Sequence, residues 1–136
     1  MSKKKQFGIL CSFVFLANLF ILNAEEKLPN DVRWVRQSAE YSTLCKQLFR
    51  QATAVILKTV KTEKSFGNLA VVVDLDETVL NNSLYQVERW KAGLSFTQDS
   101  WSDWVKREEA KLVTGAKDFL IAVRKKGVRV IFLSNR

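Results

Sequence analysis

Ala70-Val71-Val72-Val73-Asp74-Leu75-Asp76-Glu77-Thr78-Val79-Leu80 joins an apolar, β-branched run to two carboxylates spaced two residues apart and then to a hydroxyl. Valine favours extended backbone, and a run that is apolar on both faces predicts a buried strand, Leu69 to Asp74, of a parallel sheet. In open α/β sheets the ligand crevice lies just past the carboxyl ends of the strands. Acids taken out of water there need a cation or a proton to offset the loss of hydration. The pair Asp74 and Asp76 therefore points to phosphoryl-transfer chemistry.

Outward from this stretch, Val128 to Leu133 has the same strand-like composition and also ends in polar residues, Ser134-Asn135-Arg136. The segments between the two strands carry helical spacing. Ser100 with Asp103 makes a capping-box-like start for a helix bearing Trp101, Trp104 and Val105. Thr114-Gly115 interrupts the pattern. Ala116, Phe119, Leu120 and Val123 line a second amphipathic helix, with Lys125-Lys126 in its last turn and Gly127 as its stop. The order strand, helices, strand predicts an α/β fold with a parallel βαβ unit and a right-handed crossover. That topology brings Ser134 to the same sheet edge as Asp74 and Asp76. On the amino-terminal side, Asn30 or Asp31 caps a long helix running to about Lys61. Trp34, Tyr41, Cys45, Leu48, Ala52, Val55 and Ile56 are expected to form its core-facing stripe. Thr62 to Asn68 is a polar connection.

The chain has 136 residues, enough for one domain. Its net charge is +8, of which Lys3, Lys4 and Lys5 carry three. Residues 25–136 hold 19 basic and 14 acidic side chains, interspersed at helical spacing. This is the pattern of a solvated surface, so no nucleic-acid partner is expected, while a mildly basic surface suits anionic phosphorylated substrates. The absence of histidine excludes imidazole bases, phosphohistidine and histidine metal sites. With only Cys11 and Cys45, neither a disulfide framework nor a thiolate cluster can form. Any metal must take oxygen ligands, which points to Mg²⁺ or a similar hard cation.

Residues 1–24 have the character of a targeting segment: a lysine start, an almost wholly apolar run from Phe7 to Leu22, and small Ala24 before Glu25-Glu26. Two readings stay open, a cleaved signal peptide and an uncleaved membrane anchor through residues 7–22. Large Leu10 before Cys11 argues against lipid attachment there, and a lipoprotein form is the remaining alternative. A secreted, periplasmic or outer-envelope location follows from each reading, with residues 25–136 as the folded domain.

The chemistry can be assigned by residue type. Asp74 is the candidate nucleophile, able to form an aspartyl-phosphate. Asp76 would protonate the leaving alkoxide and then activate water. A cation beside Asp74 would keep it ionised. Thr78 could brace the loop. The Ser134 hydroxyl, nearby backbone N–H groups and the adjoining Asn135 are placed for phosphoryl oxygens.

Residues 71–85, Val71-Val72-Val73-Asp74-Leu75-Asp76-Glu77-Thr78-Val79-Leu80-Asn81-Asn82-Ser83-Leu84-Tyr85, resemble motif I of the haloacid dehalogenase (HAD) superfamily. More narrowly, they resemble the class C, non-specific, nucleotidase-like acid phosphatases. The leader, Ser38-Ala39-Glu40-Tyr41, Trp101-x-x-Trp104, Gly115-Ala116-x-x-Phe119 and Ile131-Phe132-Leu133-Ser134-Asn135-Arg136 extend the resemblance over residues 30–136. It implies a Rossmann-like HAD core with helical cap elements and Mg²⁺-dependent hydrolysis of phosphomonoesters, often nucleoside monophosphates. Asp74 would be nucleophile and metal ligand. Asp76 would be acid/base and bind metal through its backbone carbonyl, and Ser134 would hold phosphate. Phe66 and Trp101 match positions where the family has aromatics that contact a nucleobase; packing under a cap is the other reading of both. Asn81 stands where Asp is common and Thr114 where Pro is common. The third-motif lysine and fourth-motif acid belong after Arg136, as do the remaining strands. The chain as given is therefore expected to be a truncated, inactive form of a hydrolase whose full-length version acts on nucleotide monophosphates or p-nitrophenyl phosphate with Mg²⁺. The alternative is a non-catalytic, membrane-tethered envelope protein that retains half a HAD core.

Overall fold

The computed structural model describes residues 27–62 and 69–136. The expectations for residues 1–24 and for Phe66 lie outside the described residues. Among those described, the order is α1 (Asn30–Gln37), α2 (Ala39–Thr62), β1 (Ala70–Val73), β2 (Leu80–Asn81), α3 (Ser83–Lys91), α4 (Gln98–Arg107), β3 (Lys111–Leu112), α5 (Ala116–Lys125) and β4 (Arg129–Phe132).

β1 and β4 pair in parallel, with Ala70 opposite Arg129 and Val73 opposite Phe132. Arg129 N–H donates to the Leu69 carbonyl and Leu133 N–H to that of Val73, each at 3.0 Å, so the ladder runs one residue past each strand. The parallel βαβ expectation is met, with strand limits one residue tighter at each end. A second, antiparallel pair, β2 with β3, places Leu80 opposite Leu112. Two-residue strands leave no period-2 pattern to read, which is why the sequence did not show this pair.

The single long amino-terminal helix is two helices. Ser38 sits between them with extended backbone (φ −81°, ψ 131°), and its Oγ accepts from the Tyr41 N–H at 2.8 Å. A serine hydroxyl that satisfies one of the free N–H groups of a helix start is an N-cap, and it opens α2. Asn30 does not cap α1; the residue at its N-cap is Pro29, and Asn30 Oδ1 accepts instead from Arg33 Nη2 at 2.7 Å. The start of α4 is also displaced. Thr97 is its N-cap and forms a reciprocal box with Ser100, so Ser100 answers the cap rather than supplying it. α5 and its stop at Gly127 (φ +75°) are as read from the sequence.

The core joins α2, α5 and one face of the sheet. Cys45, Val60, Val73, Val79, Val113, Ala116, Phe119, Val123 and Val128 are buried together, with Tyr41, Phe49, Ala52 and Ile56 of α2 packed against them. The inward stripe of α2 thus runs through Phe49 and Val60, while Leu48, Val55 and, on α1, Trp34 are exposed. An apolar run with candidates at adjacent positions leaves the phase of the stripe open by one residue, and contact with α5 sets it. β1 is covered on one face only. Val73 is buried and Val72 is 60% exposed, because among the described residues α2 and α5 pack on the Val71/Val73 side. The expected two-sided burial of β1 is not met among the described residues.

Candidate active site

β1 delivers Asp74 to the carboxyl edge of the sheet, and the chain turns at once. The Leu75 carbonyl accepts from the N–H groups of Val79 (2.9 Å) and Leu80 (2.8 Å), and Glu77 N–H donates to the Leu80 carbonyl at 2.8 Å. Buried Val79 pins this coil to the core. Closing it forces Glu77 into the left-handed region (φ 56°), uncommon for a residue with a Cβ. The result is a short, rigid loop that holds Asp74 and Asp76 in different surroundings.

Asp74 is exposed, and its Oδ2 accepts from Thr78 Oγ1 at 3.2 Å. Asp76 is enclosed. Its Oδ1 accepts from Asn82 Nδ2 at 2.9 Å and lies 3.1 Å from Arg136 Nη2. Its Oδ2 receives the Ser134 hydroxyl at 3.4 Å. Ser134, at the end of β4, also accepts from the Arg136 N–H at 3.2 Å. The Arg136 guanidinium lies over the Trp101 ring, 5.7 Å from its centroid, within cation–π range. Behind this, Tyr85 meets Trp101 edge to face at 5.2 Å, and the indole N–H of Trp104 donates to Asn82 Oδ1 at 2.9 Å.

Five of the residues singled out from the sequence come together: Asp74, Asp76, Thr78, Ser134 and Trp101. Asn135 is exposed on the same strand-end loop. Of the two acids only Asp76 is drawn out of water. Asp76 is partly enclosed and is balanced by a guanidinium and two neutral donors, whereas Asp74 stays in contact with water. Trp101 is half-buried between Arg136 and Tyr85, so it packs against Tyr85 of α3 and still borders the site. Two residues were passed over. Asn82 reads in sequence as loop ahead of a helix, and only its burial reveals its partners. Arg136 closes the Ser134-Asn135-Arg136 ending, and its charge next to an acid-bearing strand end was the available signal.

Among the described residues, no group of three or more Cys, Asp or Glu side chains is gathered as a metal cluster. The donors at the loop are nevertheless of the right kind for Mg²⁺, which keeps several waters and takes only one or two carboxylates from protein. Exposed Asp74 offers a carboxylate and Asp76 a backbone carbonyl. Such a site pairs an open carboxylate with an oriented acid and a serine hydroxyl, a set able to exchange a phosphoryl group and a proton.

The profile of the HAD superfamily, subfamily IIIB (Acid phosphatase), matches residues 13–136. Two solved structures from Bacillus anthracis are similar to this chain: a class C acid phosphatase with tungstate bound, and the class C acid phosphatase itself. Each superposes with a TM-score of 0.69 at 32% identity, over 77% of this chain and 44% of the relative. The chain thus spans less than half the length of these relatives.

Proposed function

From the premise that this chain belongs to the HAD superfamily, subfamily IIIB (Acid phosphatase), and is similar to class C acid phosphatases, we propose that it serves hydrolysis of phosphomonoesters through an aspartyl-phosphate on Asp74. The observation that carries this reading is the division of labour at the loop. Asp74 is open to an incoming phosphorus atom, while Asp76, two residues on, is oriented by Asn82, Arg136 and Ser134.

In the first step a carboxylate oxygen of Asp74 bonds to phosphorus as the bond to the ester oxygen breaks. Protonated Asp76 gives its proton to the departing oxygen, releasing the alcohol. In the second step Asp76, now a carboxylate, takes a proton from water as that water attacks phosphorus. Inorganic phosphate leaves and Asp74 is regenerated. The Thr78 hydroxyl holds Asp74 in place by its hydrogen bond, and Ser134 with Asn135 receives phosphoryl oxygens. Mg²⁺ held by Asp74 and the Asp76 carbonyl would neutralise charge between the carboxylate and an incoming phosphate dianion. Trp101, beside the Arg136–Asp76 pair, suits an alcohol leaving group that carries a flat ring, such as a nucleoside, which supports nucleoside monophosphates as substrates. The apolar leader at residues 7–22 supports a secreted or envelope location, with membrane association if it is retained.

The test is hydrolysis of p-nitrophenyl phosphate by the full-length protein, with and without Mg²⁺. Turnover that requires Mg²⁺, is blocked by tungstate, and falls by at least about 100-fold in Asp74→Asn is expected. Undiminished turnover in Asp74→Asn would show that another group attacks phosphorus, and no turnover at all would overturn the hydrolase reading.

A further inference from the structure

Asn82 is fully buried, 0% exposed, between α4 and the Asp76 carboxylate, and both ends of its amide are committed. An indole N–H can only donate, so the atom that faces Trp104 Nε1 at 2.9 Å is the amide oxygen. The other end then presents Nδ2–H to Asp76 Oδ1 at 2.9 Å. The reverse orientation would set donor against donor at the indole and oxygen against oxygen at the carboxylate, away from water, where an unmade hydrogen bond is most costly. Trp104 is itself immobilised. It is 2% exposed, lies 6.1 Å from the Tyr85 ring, and is covered by the Arg107 guanidinium at 4.9 Å. Arg107 in turn is held by both oxygens of Glu88, at 2.7 and 2.8 Å.

We propose that Asn82 is a positioning residue for Asp76, with Trp104 of α4 fixing which way its amide points. The proposal rests on the reading of Asp76 as acid/base. Oδ1 is tied by Asn82 and Arg136, which turns Oδ2 toward Ser134 as the oxygen that meets the leaving group. A serine hydroxyl both donates and accepts, so Ser134 can partner Oδ2 in either state of the acid. The backbone N–H of Asn82 donates to Glu77 Oε1 at 3.3 Å, a second tie from the same residue to the loop.

Two measurements test it. In ¹⁵N-labelled protein, Asp76→Ala should move one Asn82 side-chain amide proton upfield while the Trp104 indole N–H keeps its position and its slow exchange. Trp104→Phe, which keeps an aromatic ring in place, should broaden or shift both Asn82 amide protons. Unmoved Asn82 protons in Asp76→Ala would overturn the proposal. In the full-length protein, Asn82→Asp keeps the acceptor for Trp104 but replaces the donor to Asp76. It should lower kcat for p-nitrophenyl phosphate by about 100-fold, with KM changed by less than about threefold. A raised KM with unchanged kcat, or no kinetic change, would show that Asn82 only packs. Absence of turnover in the parent protein would count against the hydrolase reading, while the amide resonances still decide the role of Asn82.

Discussion

Asp74 and Asp76 stand two residues apart, and their difference comes from what surrounds each carboxylate. Asp74 meets water and one hydroxyl, which leaves an electron pair free to attack; Asp76 meets a guanidinium, an amide and a hydroxyl, which hold it still. Glycine matters at one nearby junction for a related reason. Gly115 starts α5 with φ +94°, and a Cβ there would lie 3.2 Å from Lys46 Cα and from Phe49 Cδ2. Backbone conformation and close approach of α2 both demand a residue without a side chain. Gly115→Ala should therefore destabilise the fold by about 1–3 kcal/mol, read as a lower urea midpoint at unchanged slope.

At the scale of elements, α2 and α4 divide the work. α2 is the core's long wall, and α4 braces the site through Trp101 and Trp104. Tyr41, near the start of α2, is partly buried against the core. Burial first, and then its neighbours Cys45 and Glu77, push its phenol up to about 12. The folded protein thus holds this proton more tightly than the unfolded chain, whose phenol titrates near its ordinary value of about 10. The resulting stabilisation is complete below pH 10 and is lost as pH rises toward about 12. Urea unfolding of wild type should lose more stability between pH 9.5 and 11.5 than unfolding of Tyr41→Phe. Equal losses would place the phenol in water. The helix phase read from the sequence failed at Leu48 and Val55 because adjacent apolar residues fit a stripe equally well, and packing against Phe119, 5.4 Å from Phe49 between ring centroids, chose between them.

At the scale of the whole molecule, the decisive feature among the described residues is a sheet covered on one side. Val72 (60%), Ile131 (46%) and Leu133 (69%) lie exposed on the face away from α2 and α5. Apolar side chains gathered on one exposed sheet face bind hydrophobic probes and promote association. Residues 27–136 should therefore enhance the fluorescence of anilinonaphthalene sulfonate. Val72→Thr combined with Leu133→Thr should reduce that enhancement while the far-UV circular dichroism is unchanged. An unaltered signal would locate the dye elsewhere, for example in the groove between Lys46, Phe49 and Phe119.

The strand-end acids, the hydroxyl at Ser134, the parallel crossover and the family were legible from the residues alone. They are local: β-branched runs, turn residues and charge placement are written in consecutive positions, and the right-handed crossover leaves little choice of edge. Tertiary structure decided the rest. The burial of Asn82, the orientation of its amide by an indole twenty-two residues away, the stacking of Arg136 on Trp101 and the one-sided cover of β1 all depend on which surfaces meet. A hydrogen-bond donor or an exposed face acquires its partner only when another element arrives, and no stretch of sequence carries that distance.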